Sequence, residues 1–125
     1  MKNILLIEDD PFLVDIYTTK LKESGFTVEV ATDGEQGLRK LSEKSFDLLL
    51  LDIVLPQVDG WEILEKIKAL RGNIEHLENL KIVILSNLGQ KEEVEKGIEM
   101  GAIKYLIKAH YTPSEVIAEI EQLLK

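Results

Sequence analysis

The chain has 125 residues, a length typical of one domain, and 45% of them are hydrophobic, which is enough to form a buried core. Its 15 lysines and arginines against 23 aspartates and glutamates give a formal net charge of −8, which argues against direct nucleic-acid binding and against adhesion to anionic membranes. There is no cysteine, which excludes disulfides and thiolate metal sites and fits the cytoplasmic location that we expect for residues 1–125 as a single domain.

Short apolar runs alternate with amphipathic stretches along the chain. The run at residues 4–7 predicts a buried strand, and Asp10 followed by Pro11 predicts a helix whose N-cap is Asp10. The four leucines at residues 48–51 predict a central strand that is buried on both faces. The predicted strands are residues 4–7, 27–31, 48–52, 81–85 and 104–107, with helices predicted around residues 11–24, 38–41, 61–70, 91–100 and 113–124, the last opened by a capping box at 112–115. This alternation predicts a parallel α/β sheet with helices on both faces.

Polar side chains follow four of the predicted strands at the point where each strand ends. Glu8 and Asp9 follow the first strand, Asp52 ends the third, Ser86 follows the fourth and Lys108 follows the fifth. Because the carboxyl ends of parallel strands meet at the same edge of a sheet, we expect these side chains to converge on one crevice.

The expected crevice contains three carboxylates that repel one another, and a hard divalent cation would relieve that repulsion. Mg²⁺ prefers oxygen ligands, so Asp9 and Asp52 are the predicted direct ligands, with a backbone carbonyl just after Asp52 and with Glu8 acting through a water. Lys108 is expected to pair with Asp52 and to hold an anionic group, and Ser86 offers a hydroxyl to an incoming oxygen. An aspartate beside a metal, a lysine and a hydroxyl is typical of an aspartyl-phosphate site.

Four short motifs around these strand ends occur in one order along the chain. They are Ile7-Glu8-Asp9-Asp10, Leu51-Asp52 followed by Pro56 and Asp59-Gly60, Ser86 after an apolar strand, and Tyr105 three residues before Lys108. Together they make the chain resemble a receiver domain of a two-component response regulator, of the single-domain chemotaxis type, over essentially its whole length. The resemblance implies a flavodoxin-like receiver fold, with five parallel strands in the order 2-1-3-4-5 and five helices on the two faces.

The resemblance implies a signalling switch in a two-component phosphorelay rather than an enzyme, although the site would assist its own phosphorylation and dephosphorylation. Asp52 would accept a phosphoryl group from a phosphohistidine on a histidine kinase or a histidine phosphotransfer protein. Mg²⁺ would be bound by Asp9, Asp52 and the Val54 backbone carbonyl, with Glu8 acting through water. Lys108 would bind phosphoryl oxygens.

The resemblance also implies how the signal leaves the site. Ser86 would bind the phosphoryl group by moving inward, and Tyr105 would swing into the space that it leaves. This movement would reposition the face formed by the fourth helix, the fifth strand and the fifth helix. We expect an unidentified effector protein to bind this face, or a homodimer promoted by phosphorylation to form through it. No nucleic acid or membrane is expected as a partner.

The sequence departs from the usual receiver pattern in three places. Receivers usually have proline after the lysine, often with a cis peptide, and here that residue is Ala109, so we expect either a trans Lys108–Ala109 link with a reshaped loop or a strained one. The residue after the switch hydroxyl is usually small, and Asn87 is expected either to obstruct access or to bond to the phosphoryl group. The connection at residues 71–80 is long for the family.

Three other kinds of protein share parts of this pattern. A haloacid-dehalogenase-like phosphatase needs a second aspartate two residues after the first, where this chain has Val54. A flavin-binding module needs a phosphate loop after the first strand, where the acidic residues 8–10 would repel a phosphate. A degenerate receiver would lack the phosphoacceptor, which Asp52 provides. The two histidines, His76 and His110, lack metal-ligand spacing and are expected to lie on the surface.

Overall fold

The centre of the molecule is a sheet of five parallel strands in the order β2-β1-β3-β4-β5. The computed structural model describes residues 1–125. The strands are β1 (Asn3–Ile7), β2 (Thr27–Ala31), β3 (Leu48–Leu51), β4 (Lys81–Ser86) and β5 (Lys104–Ile107). The helices are α1 (Pro11–Glu23), α2 (Gly34–Glu43), α3 (Gly60–Leu70), α4 (Lys91–Glu99) and α5 (Pro113–Leu123), with 3-10 helices at Glu75–Leu77 and Lys108–His110. The predicted fold class and strand order are confirmed.

The three central strands β1, β3 and β4 are buried on both faces because they are apolar along nearly their whole length. All four residues of Leu48–Leu51 have no solvent-exposed surface, and they alternate between two core clusters. Leu49 and Leu51 pack on one side with residues of α2 and α3, and Leu48 and Leu50 pack on the other with residues of α1 and α5. Burying one leucine side chain contributes about 1.5–3 kcal/mol, so β3 alone fixes the sheet between its two layers of helices.

Side chains at the helix starts satisfy free backbone N–H groups. Asp10, Asp33 and Asp59 accept hydrogen bonds from the first turns of α1, α2 and α3. Thr112 and Glu115 form the capping box predicted for α5. None of the helices combines the length and the apolar character that crossing a bilayer requires.

The connection between α3 and β4 is more ordered than its sequence indicates. The Arg71 guanidinium donates to the carbonyls of Leu77 and Leu80, at 3.1 and 2.7 Å. The ring of His76 lies 2.7 Å from the Leu41 carbonyl, through its Nε2 atom, and a carbonyl can only accept. The prediction that this histidine is an ordinary surface residue is therefore wrong, because its ring is half-buried and ties the connection to α2. His110 is exposed, as predicted.

Candidate functional site

The ends of four strands bring the predicted site residues to one edge of the sheet. The ladder places Ile7, Leu51 and Ile84 level with one another, so that the residues after them share one edge. Ser86 is level with Ile107, the last residue of β5. Glu8, Asp52 and Lys108 each begin the segment that leaves its strand at this edge.

Three carboxylates meet here, as the strand ends predict. Carboxylate oxygens of Glu8, Asp9 and Asp52 lie within 4.8 Å of one another. Glu8 and Asp52 are only 2% and 6% exposed, whereas Asp9 is open to solvent. Burial raises the pKa of Glu8, the nearby charge of Asp52 raises it further, and the hydrogen bond from Lys108 opposes both effects.

A single ammonium group bridges two of these carboxylates. Lys108 Nζ lies 2.7 Å from Glu8 Oε1 and 2.8 Å from Asp52 Oδ2. Burial alone would lower the pKa of this lysine, but its hydrogen bonds with Asp52 and Glu8 outweigh burial and leave the pKa raised. The cluster of three carboxylates therefore contains one fixed cation, which pairs with Glu8 and Asp52 and not with Asp9, and it retains an excess of negative charge that a divalent metal ion would neutralise.

Backbone N–H groups hold the remaining oxygens of the two buried carboxylates. Val54 N–H donates to Asp52 Oδ1 and Asp10 N–H donates to Glu8 Oε2, each at 3.2 Å. Both side chains are thus fixed in one orientation. The Val54 side chain itself is 58% exposed and adds no polar group to the site.

The predicted switch residues lie behind this cluster. Ser86 is fully buried, and its Oγ accepts a hydrogen bond from the Leu88 N–H at 3.3 Å. The Tyr105 hydroxyl donates to the Leu88 carbonyl, and its ring packs against Gly97 of α4, where an added Cβ would come within 2.8 Å of the ring. Burial, followed by the charge of Glu93, raises the pKa of Tyr105 to about 12. The Tyr105 ring is thus half-buried, between α4 and the core cluster that contains Ile84.

A contact between two loops was not predicted. The Ala109 N–H donates to Asn87 Oδ1 at 3.1 Å, so this amide oxygen binds the neighbouring loop. The Lys108–Ala109 peptide is trans, since the chain has no cis peptide bond, and it opens the short 3-10 helix Lys108–His110. The first of the two expected forms of this link, trans with a reshaped loop, is therefore the one observed.

A groove of about 290 Å³ opens beside the lysine, between α1 and the start of α5. Tyr17 of α1 is only 3% exposed, yet it lines this groove together with Asn87 and Lys108. Burial raises its pKa, and the charges of Lys108, Glu8 and Asp52 are close enough to act on it. The full lining is Leu13, Tyr17, Asn87, Lys108, Ala109, Tyr111 and Pro113.

Curated relatives match over nearly the whole chain. The transcriptional regulatory protein CusR of Escherichia coli K12 is 33% identical over 122 residues, which cover 98% of this chain and 51% of CusR. The alkaline phosphatase synthesis transcriptional regulatory protein PhoP of Bacillus subtilis is 32% identical over 126 residues, which cover 99% of this chain and 49% of PhoP. The chain thus spans about half the length of the curated relatives it matches. Since these relatives are named as transcriptional regulators, they do not bear out the expectation that nucleic acid is not a partner.

Solved structures give the same fold. A CheY-like receiver domain protein from Methanospirillum hungatei has a TM-score of 0.86 at 30% identity, covering 99% of this chain and 94% of that one. The BeF3-activated receiver domain of DrrB, from Thermotoga maritima, has a TM-score of 0.84 at 30% identity, covering 99% and 97%. The family model described as the response regulator receiver domain matches residues 4–121. This chain therefore belongs to the response regulator receiver domain family.

Proposed function

We propose that residues 1–125 act as one receiver domain, in which Asp52 accepts a phosphoryl group from a phosphohistidine on a histidine kinase or a phosphotransfer protein. Family membership makes the chain a phosphorylation-dependent signalling switch, and the proposal adds the residue and the donor. The main support is the surroundings of Asp52, which is 6% exposed and has Lys108 Nζ 2.8 Å from Oδ2 and the Val54 N–H 3.2 Å from Oδ1. These contacts fix the carboxylate beside a group that can stabilise a transferred phosphoryl.

The proposed transfer needs little from the protein beyond position and charge. An Asp52 oxygen forms a bond to phosphorus while the P–N bond of the phosphohistidine breaks, and the electron pair stays on the histidine nitrogen. Lys108 would then hold a phosphoryl oxygen with the ammonium group that now bridges Asp52 and Glu8. The site would assist this transfer and the later hydrolysis, in which water displaces the phosphoryl group from Asp52 as inorganic phosphate, so we assign the chain as a switch and not as an enzyme with other substrates.

Mg²⁺ is the proposed cofactor, held directly by Asp9, Asp52 and the Val54 carbonyl, with Glu8 acting through water. The donor set fits this ion, because it consists of clustered oxygens with an excess of negative charge and includes no sulfur or imidazole ligand. When bound, the ion would neutralise charge on the carboxylates and on the incoming phosphoryl oxygens. The exposed Asp9 gives the cation a solvent-accessible point of entry.

The proposed output passes through Ser86 and Tyr105. The Ser86 hydroxyl, which now accepts from Leu88, would donate to a phosphoryl oxygen, and the loop after β4 would move inward with it. The Tyr105 hydroxyl is bound to the carbonyl of Leu88, so its ring would follow that loop. The face of α4, β5 and α5 would change as a result, for binding an effector protein or a second copy of the chain.

The experiment that tests this function is the intact mass of the protein after incubation with acetyl phosphate and MgCl₂. Wild type should gain one phosphoryl group, Asp52→Asn should gain none, and EDTA should abolish the gain. Asp15→Asn is the matched control, because Asp15 is an exposed aspartate on α1. A gain that persists in Asp52→Asn would refute the assignment of the phosphoacceptor, and a gain that is indifferent to EDTA would refute the metal.

A further inference from the structure

A hydrogen bond joins the two loops that carry the proposed phosphoryl-binding groups. Asn87 Oδ1 accepts from the Ala109 N–H at 3.1 Å, across 22 positions of sequence. Asn87 directly follows Ser86, and Ala109 directly follows Lys108. The bond therefore ties the backbone beside the switch hydroxyl to the backbone beside the site lysine.

The residues Lys108–His110 that directly follow β5 make few other contacts, whereas Thr112 is held by its capping box with Glu115. The only other backbone hydrogen bond of this loop before α5 runs from the Tyr111 N–H to the Lys108 carbonyl and is long, at 3.4 Å. Ala109 and His110 are both exposed, and apolar packing begins only at Tyr111, so it does not fix the residues next to Lys108. Lys108 nevertheless has to place its ammonium group within 2.8 Å of two carboxylates.

We propose that Asn87 is a positioning residue, whose side-chain oxygen holds the Ala109 N–H and thereby fixes the backbone from which Lys108 reaches Asp52. This inference rests on the proposed function, since the consequence of misplacing Lys108 is slower phosphorylation of Asp52. The hydrogen bond between Asn87 and Ala109 also couples the loop after β4 to the loop after β5. A shift of Ser86 displaces Asn87 and, through the bond, Ala109. The bond is solvent-exposed, so its effect is modest: about a threefold change in rate, at the lower end of what one net hydrogen bond gives.

A double-mutant cycle tests this bond, and amide exchange separates loss of the bond from any change that proline makes to the Lys108–Ala109 link. Asn87→Ala removes the acceptor, and Ala109→Pro removes the donor, because proline has no N–H. We expect Asn87→Ala to lower the rate of phosphorylation by acetyl phosphate about threefold in the wild-type background and to have no further effect in the Ala109→Pro background. Asn79→Ala is the matched control, since Asn79 is exposed and its side chain makes no hydrogen bond.

A second measurement reads the bond directly. In NMR spectra the Ala109 amide proton should exchange with water slowly in wild type and in Asn87→Asp, which keeps the acceptor oxygen, and faster in Asn87→Ala. Equal losses of rate in both backgrounds would overturn the inference, because Asn87 would then act without Ala109. Equally fast amide exchange in all three proteins would also overturn it. If wild type gains no phosphoryl group at all, the proposed function fails, and amide exchange alone decides the inference.

Discussion

The edge of the sheet at Asp52 and the connection between α3 and β4 both hold charged side chains in partly buried surroundings, but they balance them differently. In the connection, Arg71 donates through Nε and Nη2 to the carbonyls of Leu77 and Leu80, so two of its three nitrogens have acceptors within the chain. At the sheet edge, Glu8 and Asp52 share the ammonium of Lys108, and the Asp9 carboxylate lies in the same cluster without an ammonium partner. The first arrangement joins the guanidinium to neutral backbone carbonyls and stabilises the fold, whereas the second has more negative than positive charge.

This difference separates a structural polar cluster from a functional one. Buried carboxylates without enough partners destabilise a folded chain, and such groups are found where a ligand supplies the missing charge. The contrast predicts that substitutions at the sheet edge change phosphorylation more than stability. Substitutions in the connection should do the reverse.

The largest expected effect is that of Lys108→Ala. The variant loses the only ammonium that contacts Asp52, and removal of one group that stabilises developing charge typically costs about 10²–10³-fold in rate. We expect phosphorylation by acetyl phosphate to fall by roughly that factor, measured as intact mass against time. Lys104→Ala is the control, because Lys104 forms an ion pair with Glu119 on α5, away from the carboxylates. A rate for Lys108→Ala within a few-fold of the control would contradict the proposed role of this lysine.

The next largest effect is on stability, in Arg71→Ala. The variant loses two hydrogen bonds to backbone carbonyls, of which Leu77 keeps the Leu80 N–H and Leu80 loses its donor, and we expect the free energy of unfolding to fall by about 2 kcal/mol. Phosphorylation of the folded variant should stay at the wild-type rate. Urea denaturation measures the first quantity, with Arg39→Ala, an exposed arginine on α2, as the control. A slowed phosphorylation rate in folded Arg71→Ala would mean that the two regions are coupled after all.

The elements of both regions could be predicted from the sequence, but their loop contacts could not. Leu48–Leu51 identifies a buried central strand by composition alone, and the rule for parallel sheets then brings the strand-end residues together. The contacts of Asn87 with Ala109 and of His76 with Leu41 join loops that are distant in sequence. No periodic pattern records such a contact, because it depends on how far each loop extends from its strand or helix.

The orientation of Tyr105 shows a second limit of sequence reasoning. Alternation along a short strand allows its ring to face core or solvent, and the strand itself does not decide between them. The decision comes from Gly97 on α4, because any side chain there would overlap the ring. The hydroxyl then finds an acceptor in the Leu88 carbonyl. The orientation of the Tyr105 ring can therefore be predicted only when the packing of α4 on β5 is known.

The smallest expected effect concerns Glu8 and tests whether the sheet edge is short of positive charge. The pKa of Glu8 is raised above its ordinary value of 4.5, first by burial and then by the charge of Asp52, although Lys108 opposes both. The folded chain therefore keeps this proton at pH values where the unfolded chain has lost it. The contribution of Glu8 to stability is greatest below pH 4.5 and declines as the pH rises through the folded pKa.

Glu8→Gln cannot ionise but can still accept a hydrogen bond from Lys108. In EDTA, the free energy of unfolding of this variant should increase relative to that of wild type as the pH rises from 4.5 to 7. Addition of Mg²⁺ at pH 7 should then stabilise wild type more than the variant, because an ion that neutralises the cluster removes the penalty on ionised Glu8. Urea titrations at several pH values measure both differences, with Glu65→Gln on the exposed face of α3 as the control. Parallel pH profiles for wild type and Glu8→Gln, unchanged by Mg²⁺, would mean that Lys108 already neutralises enough of the negative charge at the sheet edge. The carboxylate cluster would then resemble the structural hydrogen bonds of Arg71 more closely than we infer.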